Sequence, residues 1–343
     1  VQAPASDAAR RAIEAPLGPV LVIAGPGAGK THCLIERIRY LVRRAGFAPR
    51  DLCAVTFTNR AAEELAARLR GTLGPDAEAV TRGTLHGLCV EVLRAHGSAV
   101  GLASGFGIAD EGYQEAVLRR LGVWRKRRKT LLTRFGQRRL AGHQLSASDE
   151  EVFQRYVAWL RQRQLVDFDD LIALTAELFE RRPEVADHVA GRWRYLLVDE
   201  GQDLDPAQYA VVRRLAWGHR NLFVVGDDEQ SIFSWRGADP GVLRRFQEDF
   251  GIAEPIVLEH NWRCAQQIFE TARRLVRVNP HLFEKRLVAA RPSAHPVRAY
   301  SFADRDAEVR WVVADLLADR ERHGRAWGDY AVLYRKHVLG DRL

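Results

Sequence analysis

The sequence predicts an α/β fold built on a parallel sheet with helices on both faces, and three observations carry that reading. Short runs of β-branched and apolar residues recur as PVLVIAG, LCAVTFT, RYLLVDE and NLFVVGD. The first three lead into amphipathic stretches, THCLIERIRYLVRRA, NRAAEELAARLR and PAQYAVVRRLAW. Unbroken apolar strands alternating with helices require burial on both sheet faces. Finally, the spacing of Ile35, Ile38, Leu41 and Val42 by threes and fours makes the single apolar stripe of a helix packed on such a sheet.

Strand signals vanish between about Glu111 and Ala190, where the text becomes helical, basic and aromatic, with Trp124, Phe153, Tyr156 and Trp159; a helical insertion is expected there. After Asn261 a helix, QQIFETARRLVRV, precedes Pro-punctuated text, then VRAYSF, a helix through EVRWVVADLLADR and the strand DYAVLYR. This order is that of a second α/β domain opening.

At 343 residues the chain exceeds what one core usually serves, so two or three domains are expected. Charged residues at 28% and apolar residues at 47% describe a folded chain and exclude a disordered one. Lys and Arg outnumber Asp and Glu by 52 to 44, a net +8 that favours polyanionic partners. The run RRLGVWRKRRKTLLTRFGQRR, from Arg119 to Arg139, holds no acid and reads either as a solvated face or as a nucleic-acid surface. Cys33, Cys53, Cys89 and Cys264 are scattered, without zinc or disulfide spacing, which fits a reducing cytosol. No leader-like start and no apolar run of about 18 residues is present, so a cytoplasmic location is expected. There is no Met, even at position 1.

GPGAGKT, from Gly25 to Thr31, follows the run PVLVIA and opens a helix, the context of a phosphate loop, although Ala24 stands where the general pattern has its first glycine. In such a loop the backbone of Gly25, Gly27, Ala28 and Gly29 turns N–H groups toward phosphates, Lys30 reaches the β and γ phosphates, and Thr31 offers a hydroxyl to Mg²⁺. The plain alternative is a Gly-rich turn. RYLLVDE ends its strand in Asp199 and Glu200, at the sheet edge where ligands of open α/β folds bind. Asp199 is placed to hold Mg²⁺ and Glu200 to orient and deprotonate an attacking water.

The segments AGPGAGKT, TFTNRAAEELAARL, GTLHGLC, DFDDLI, LLVDEGQDLDPAQY, VVGDDEQSIFSWRGAD and LEHNWR occur in that order. Together they resemble the successive motifs of the UvrD/Rep/PcrA family of superfamily 1 DNA helicases. The resemblance implies two RecA-like domains clamping ATP, each interrupted by a helical insertion, and 3′-to-5′ movement on single-stranded DNA. It divides the chain into a first RecA-like domain at 1–110 and 191–258, a basic insertion at 111–190, and a partial second RecA-like domain at 259–343. It gives Gln230 the role of γ-phosphate and water sensor, Arg263 that of a cation on the transferring phosphoryl group, and Trp262 and His32 places against adenine. Phe57, Thr58, Thr84, His86 and Trp235 become contacts along a DNA strand, Arg236 a link from that groove to the ATP site, and the basic insertion the side where duplex lies. The partners implied are single-stranded DNA and single/double-strand junctions, with repair or nuclease proteins beside them.

The departures are specific. The family's adenine-reading glutamine falls at Ala9, its adenine-stacking arginine at His32, the usual aromatic of the DExQD box at Gly201 and the following threonine at Leu204. The family's second insertion and last motifs are not in the sequence, so an engineered fragment or truncated homologue is expected. Two other readings stay open: the motor of a helicase–nuclease or defence system, and a nucleotide-gated DNA-binding module, against which Glu200 and Gln230 argue.

Overall fold

The computed structural model describes residues 6–234, 237–279, 281–293, 295–335 and 337–340, and the chain forms two compact units, 1–293 and 294–343. The larger unit begins with α1 (Asp7–Ile13), β1 (Val20–Ala24), α2 (Lys30–Arg43), β2 (Leu52–Thr56), α3 (Asn59–Leu73), β3 (Thr81–Thr84) and α4 (Leu85–His96). A mainly helical stretch follows: β4 (Gly107–Ile108), α5 (Glu111–Arg120), α6 (Arg125–Ala141), α7 (Ala147–Gln162), β5 (Leu165–Val166), α8 (Phe168–Arg181) and α9 (Pro183–Ala190). Then come β6 (Tyr195–Val198), α10 (Pro206–Ala216), β7 (Leu222–Gly226), α11 (Gly241–Asp249), β8 (Ile256–Leu258), β9 (His260–Ala265), α12 (Gln266–Val276) and β10 (Val288–Arg291).

Six strands form one all-parallel sheet in the order β3-β2-β6-β7-β1-β8. Successive strand residues face opposite sides, and the two faces build separate cores. Leu21, Ile23, Val55, Val198 and Val224 pack with α4, α8 and α10 residues, whereas Val20, Val22, Ala54, Leu197 and Phe223 pack with α1, α2 and α3. The apolar runs in the sequence are β1, β2, β6 and β7. The edge strand β3 (TRGT) carries no such run and the other edge strand, β8, only the three residues IVL, because a half-exposed edge needs less apolar surface.

On α2, Arg37 is 0% exposed. Its guanidinium donates to the carbonyls of Ile13 (2.8 Å), Ala15 (2.5 Å) and Pro16 (3.1 Å), and to the Tyr195 hydroxyl (2.9 Å). The cation thereby closes the C-terminal end of α1, where free carbonyls need donors and the helix dipole favours positive charge.

The helical stretch has its own core around Leu131, Phe135, Phe153, Tyr156 and Leu160. That core spans α5, α6 and α7, and the chain on either side of these helices meets in a short parallel ladder, Gly107 opposite Leu165 and Ile108 opposite Val166, whereas α8 and α9 pack into the main core. Much of the basic run is paired within the protein: Arg127 and Arg134 with Asp149, Arg138 with Glu150, and Arg139 with Asp167 and Asp170. Asp167 also accepts from Tyr156 (2.8 Å) and, with Asp170, lies in the DFDDLI segment that starts α8.

The smaller unit carries α13 (Arg305–His323), capped by Asp304, with Tyr300 and Phe302 packed on Trp311. The run DYAVLYR, expected as a strand, has no ladder partner among the described residues, and Leu333 is 94% exposed. An apolar run becomes a strand only beside another one.

Candidate functional site

Because all six strands are parallel, the loops after β1, β2, β3, β6, β7 and β8 emerge at one edge of the sheet. GPGAGKT, TFTN, GTLHG, DEGQD, GDDEQS and LEHNWR sit there, at the edge where open α/β sheets take ligands.

The loop after β1 turns through left-handed backbone at Gly27 (φ 65°) and Gly29 (φ 93°), which a side chain would strain. Gly29 caps α2 without a side-chain acceptor, so first-turn N–H groups face the loop as an anion-binding end. Lys30 is 8% exposed, with Nζ 3.5 Å from Glu200 Oε2. The Thr31 hydroxyl donates to Asp199 Oδ2 at 3.1 Å. Glu200 sits in the left-handed region (φ 54°), its N–H donating to Asp199 Oδ1 at 3.0 Å and its Oε2 accepting from Gln202 at 2.8 Å. Strained backbone at a non-glycine residue is a mark of functional positions. Burial, and then the charge of Glu200, push Asp199 up to about 6 and Asp203 up to about 7. Asp203 Oδ1 is buried without a hydrogen-bond partner.

Gln230 ends the turn Asp228–Gln230 after β7, and its amide donates to Asp227 Oδ2 at 2.6 Å. Gln202, buried, accepts from the Asp227 N–H at 2.9 Å while donating to Glu200, so Glu200 and Gln230 are joined through two intermediate residues. Sequence reasoning did not single out Gln202, although it lies in the DEGQD segment. Asn261 was missed as well: it donates to the Pro26 carbonyl at 2.5 Å and accepts from the N–H groups of Arg263 (3.0 Å) and Cys264 (2.7 Å). The Trp262 N–H donates to the Gly27 carbonyl at 3.1 Å, and a Cβ on Gly27 would come within 2.7 Å of Arg263 Cβ. Arg263, exposed, is thus seated on the glycine loop, which must be bare for β9 to approach. The Trp262 ring stacks on His260 at 5.9 Å, Ala28 is buried, and His32 is exposed on the first turn of α2. Gly25 is closed over by Leu287, whose Cδ2 would lie 2.6 Å from an added Cβ.

Along the neighbouring edge, Phe57 is half-buried against Phe233 (4.9 Å between centroids), and His86 lies edge-on to the exposed Phe168 at 6.3 Å. Thr58 and Thr84 cap α3 and α4, accepting from Ala61 (3.1 Å) and Gly87 (3.2 Å), which leaves each hydroxyl proton available to another acceptor. Phe57, His86 and Asp199 line one cavity of about 10 Å³, room for a single water. Trp235 and Arg236 lie outside the described residues.

Where the sequence departs from the family pattern, packing has adjusted. Ala9 takes a cap from Ser6 and lies against the α2 core. Gly201 is buried, with Val224 Cγ1 2.6 Å from where its Cβ would be, and Leu204 joins the main core.

Asp205, the buried cap of α10, accepts from Gln208 N at 2.8 Å, and burial pushes it up to about 7. An aspartate carboxyl ordinarily titrates near 3.8, so the folded chain binds more protons than the unfolded chain between those values, and stability falls as pH rises across that window. Asn caps as well as Asp. Asp205→Asn is therefore expected to stabilise the chain by up to about 4 kcal/mol at pH 8 and to lose that advantage near pH 4. Urea denaturation at both pH values checks this; equal stabilisation at both refutes it.

A parallel sheet with a glycine loop, lysine, threonine and paired carboxylates on its C-terminal edge defines a RecA-like P-loop core. Residues 5–251 match the family model of the UvrD/REP helicase N-terminal domain, and the chain belongs to that family. The relatives it matches include the ATP-dependent DNA helicase PcrA of Leuconostoc citreum, 34% identical over 95% of this chain and 46% of the relative. The PcrA proteins of Staphylococcus epidermidis and Staphylococcus aureus are each 33% identical, over 94% and 95% of this chain and 46% and 47% of their own lengths. The chain spans about half the length of these curated relatives.

Proposed function

We propose that this chain is the ATP-binding part of a DNA helicase or translocase that hydrolyses ATP as it moves 3′ to 5′ on single-stranded DNA. The observation that carries this is one connected set: Lys30 and Thr31 touch Glu200 and Asp199, Glu200 reaches Gln230 through Gln202 and Asp227, and Arg263 is seated on the same loop. The loop N–H groups, with Gly25, Gly27, Ala28 and Gly29, would cradle the phosphates, and Lys30 would leave Glu200 for the β and γ oxygens. That frees Glu200 to take the proton of the attacking water, with Gln230 orienting the water and Arg263 meeting charge on the γ-phosphoryl group. Trp262 and His32 would flank the adenine.

The hydroxyl of Thr31 and the carboxylate of Asp199 are hard oxygen donors side by side, a pair that fits Mg²⁺, and the proton that burial favours on Asp199 would give way to it. Bound there, the ion would neutralise phosphate charge. Phe57, Thr58, Thr84 and His86 would contact the DNA strand, with Trp235 and Arg236 assigned to the same role by the family pattern alone, and ring stacking and hydroxyl–phosphate contacts of this kind read no sequence. Residues 111–190 form the insertion of the first domain (1–110 and 191–258), residues 259–343 open a second RecA-like domain, and a cytoplasmic location with DNA junctions and repair or nuclease proteins as partners follows.

Steady-state ATP hydrolysis by the chain, with and without a single-stranded DNA oligonucleotide, tests the proposal. DNA stimulation is the expected result. Nucleotide and DNA binding with no hydrolysis would make the chain a binding module instead.

A further inference from the structure

Lys285 lies outside every motif singled out in the sequence, yet its side chain is only 2% exposed and its ammonium meets three carboxylates: Asp227 Oδ1 at 2.8 Å, Asp228 Oδ1 at 2.7 Å and Glu229 Oε2 at 3.4 Å. These acids form the turn that carries Gln230. Asp227 is shared between the two, its Oδ1 taking Lys285 and its Oδ2 taking the Gln230 amide at 2.6 Å. The segment around Lys285 wraps the turn further, with Leu282 N–H donating to Asp228 Oδ2 at 2.8 Å and His281 3 Å-range contact to Glu229 through Nδ1 at 2.9 Å. Two residues beyond Lys285, Leu287 covers Gly25 of the phosphate loop, and Arg291 donates to the Arg263 carbonyl at 2.9 Å. One short segment therefore touches the sensor turn, the phosphate loop and the arginine strand.

We propose that Lys285 is a positioning residue for Gln230: by holding Asp227 in one orientation it aims the Gln230 amide, and it relays the presence of a γ-phosphate from the sensor turn to residues 281–291. This rests on the reading of Gln230 as the γ-phosphate sensor. Burial works against the Lys285 charge, but Asp227 and the hydrogen bonds to Asp227 and Asp228 outweigh it and hold the ammonium above the usual lysine range. A purely structural strut is made at lower cost from apolar side chains. A single ammonium among three carboxylates makes the position of the turn sensitive to charge arriving beside it.

The test measures, in the 343-residue chain, the affinity ratio between a non-hydrolysable ATP analogue and ADP, with thermal unfolding alongside. Lys285→Met and Gln230→Ala are each expected to lower the ratio about tenfold, with no further loss in the double variant. Lys285→Arg is expected to recover most of it. If Lys285→Met does not fold, Lys285→Gln combined with Asp228→Asn, which removes one charge of each sign, is expected to show the same loss. An effective Gln230→Ala beside an unchanged ratio in the Lys285 variants, whatever their melting temperature, overturns this proposal alone and leaves Lys285 a strut. An unchanged ratio in Gln230→Ala overturns the sensor reading itself, and this inference with it.

Discussion

Glu200→Gln is expected to cut ATP hydrolysis by about 10²- to 10⁴-fold while nucleotide affinity stays within about twofold. The amide keeps the size of the carboxylate and can still accept from Gln202, so the left-handed turn at Glu200 stays supported. What disappears is the base, together with the negative charge 3.5 Å from Lys30. Removing that charge also relieves Asp199 and Asp203, both of which it helps to push up. The affinity for Mg²⁺-ATP should therefore hold or improve. Titration with a fluorescent nucleotide beside a steady-state hydrolysis assay checks both halves, and equal losses in binding and turnover would remove Glu200 from the role of base.

Arg37→Leu should cost about 3–5 kcal/mol of stability without touching the nucleotide site. The substitution leaves the Ile13 carbonyl and the Tyr195 hydroxyl buried without their donor, each worth about 1 kcal/mol or more, and takes the donor from the part-buried carbonyls of Ala15 and Pro16 as well. Lysine brings charge but no planar fork, so Arg37→Lys is expected to recover less than half. A shift of the urea midpoint at constant slope would report this directly, and a change below about 1 kcal/mol would show that water or rearrangement replaces the guanidinium.

What could be read in the sequence follows from how local each signal is. The central strands β1, β2, β6 and β7 were legible because burial on both faces forces an apolar run, whereas TRGT gave no sign of the edge strand it forms. Lys30, Thr31, Asp199 and Glu200 were legible because each stands next to a strand end within a compact motif. Lys285 was not, since its partner Asp227 is 58 residues away and nothing near Lys285 in the chain marks it. The basic run was legible as charge, but its pairing with Asp149, Glu150, Asp167 and Asp170 depends on how α6, α7 and α8 lie together.

The ladder between β4 and β5 makes the stretch between them a cassette held at a common root, with Gly107 N–H bonded to Gln164 and Ala109 N–H to Val166 at 2.9 and 2.7 Å. Excising what lies between would leave chain ends one strand spacing apart, about 5 Å, but because the two strands run parallel the replacement must cross back over the ladder and cannot be a tight turn. The cassette is nevertheless wired to its host, because Arg139 within it neutralises Asp167 and Asp170 outside it. A transplant from a relative would have to bring a cation to that place, or arrive with both aspartates made neutral. In evolutionary terms the root permits exchange of the segment between β4 and β5, provided the replacement preserves the contacts that Tyr156, Arg139 and Arg161 make with Asp167 and Asp170.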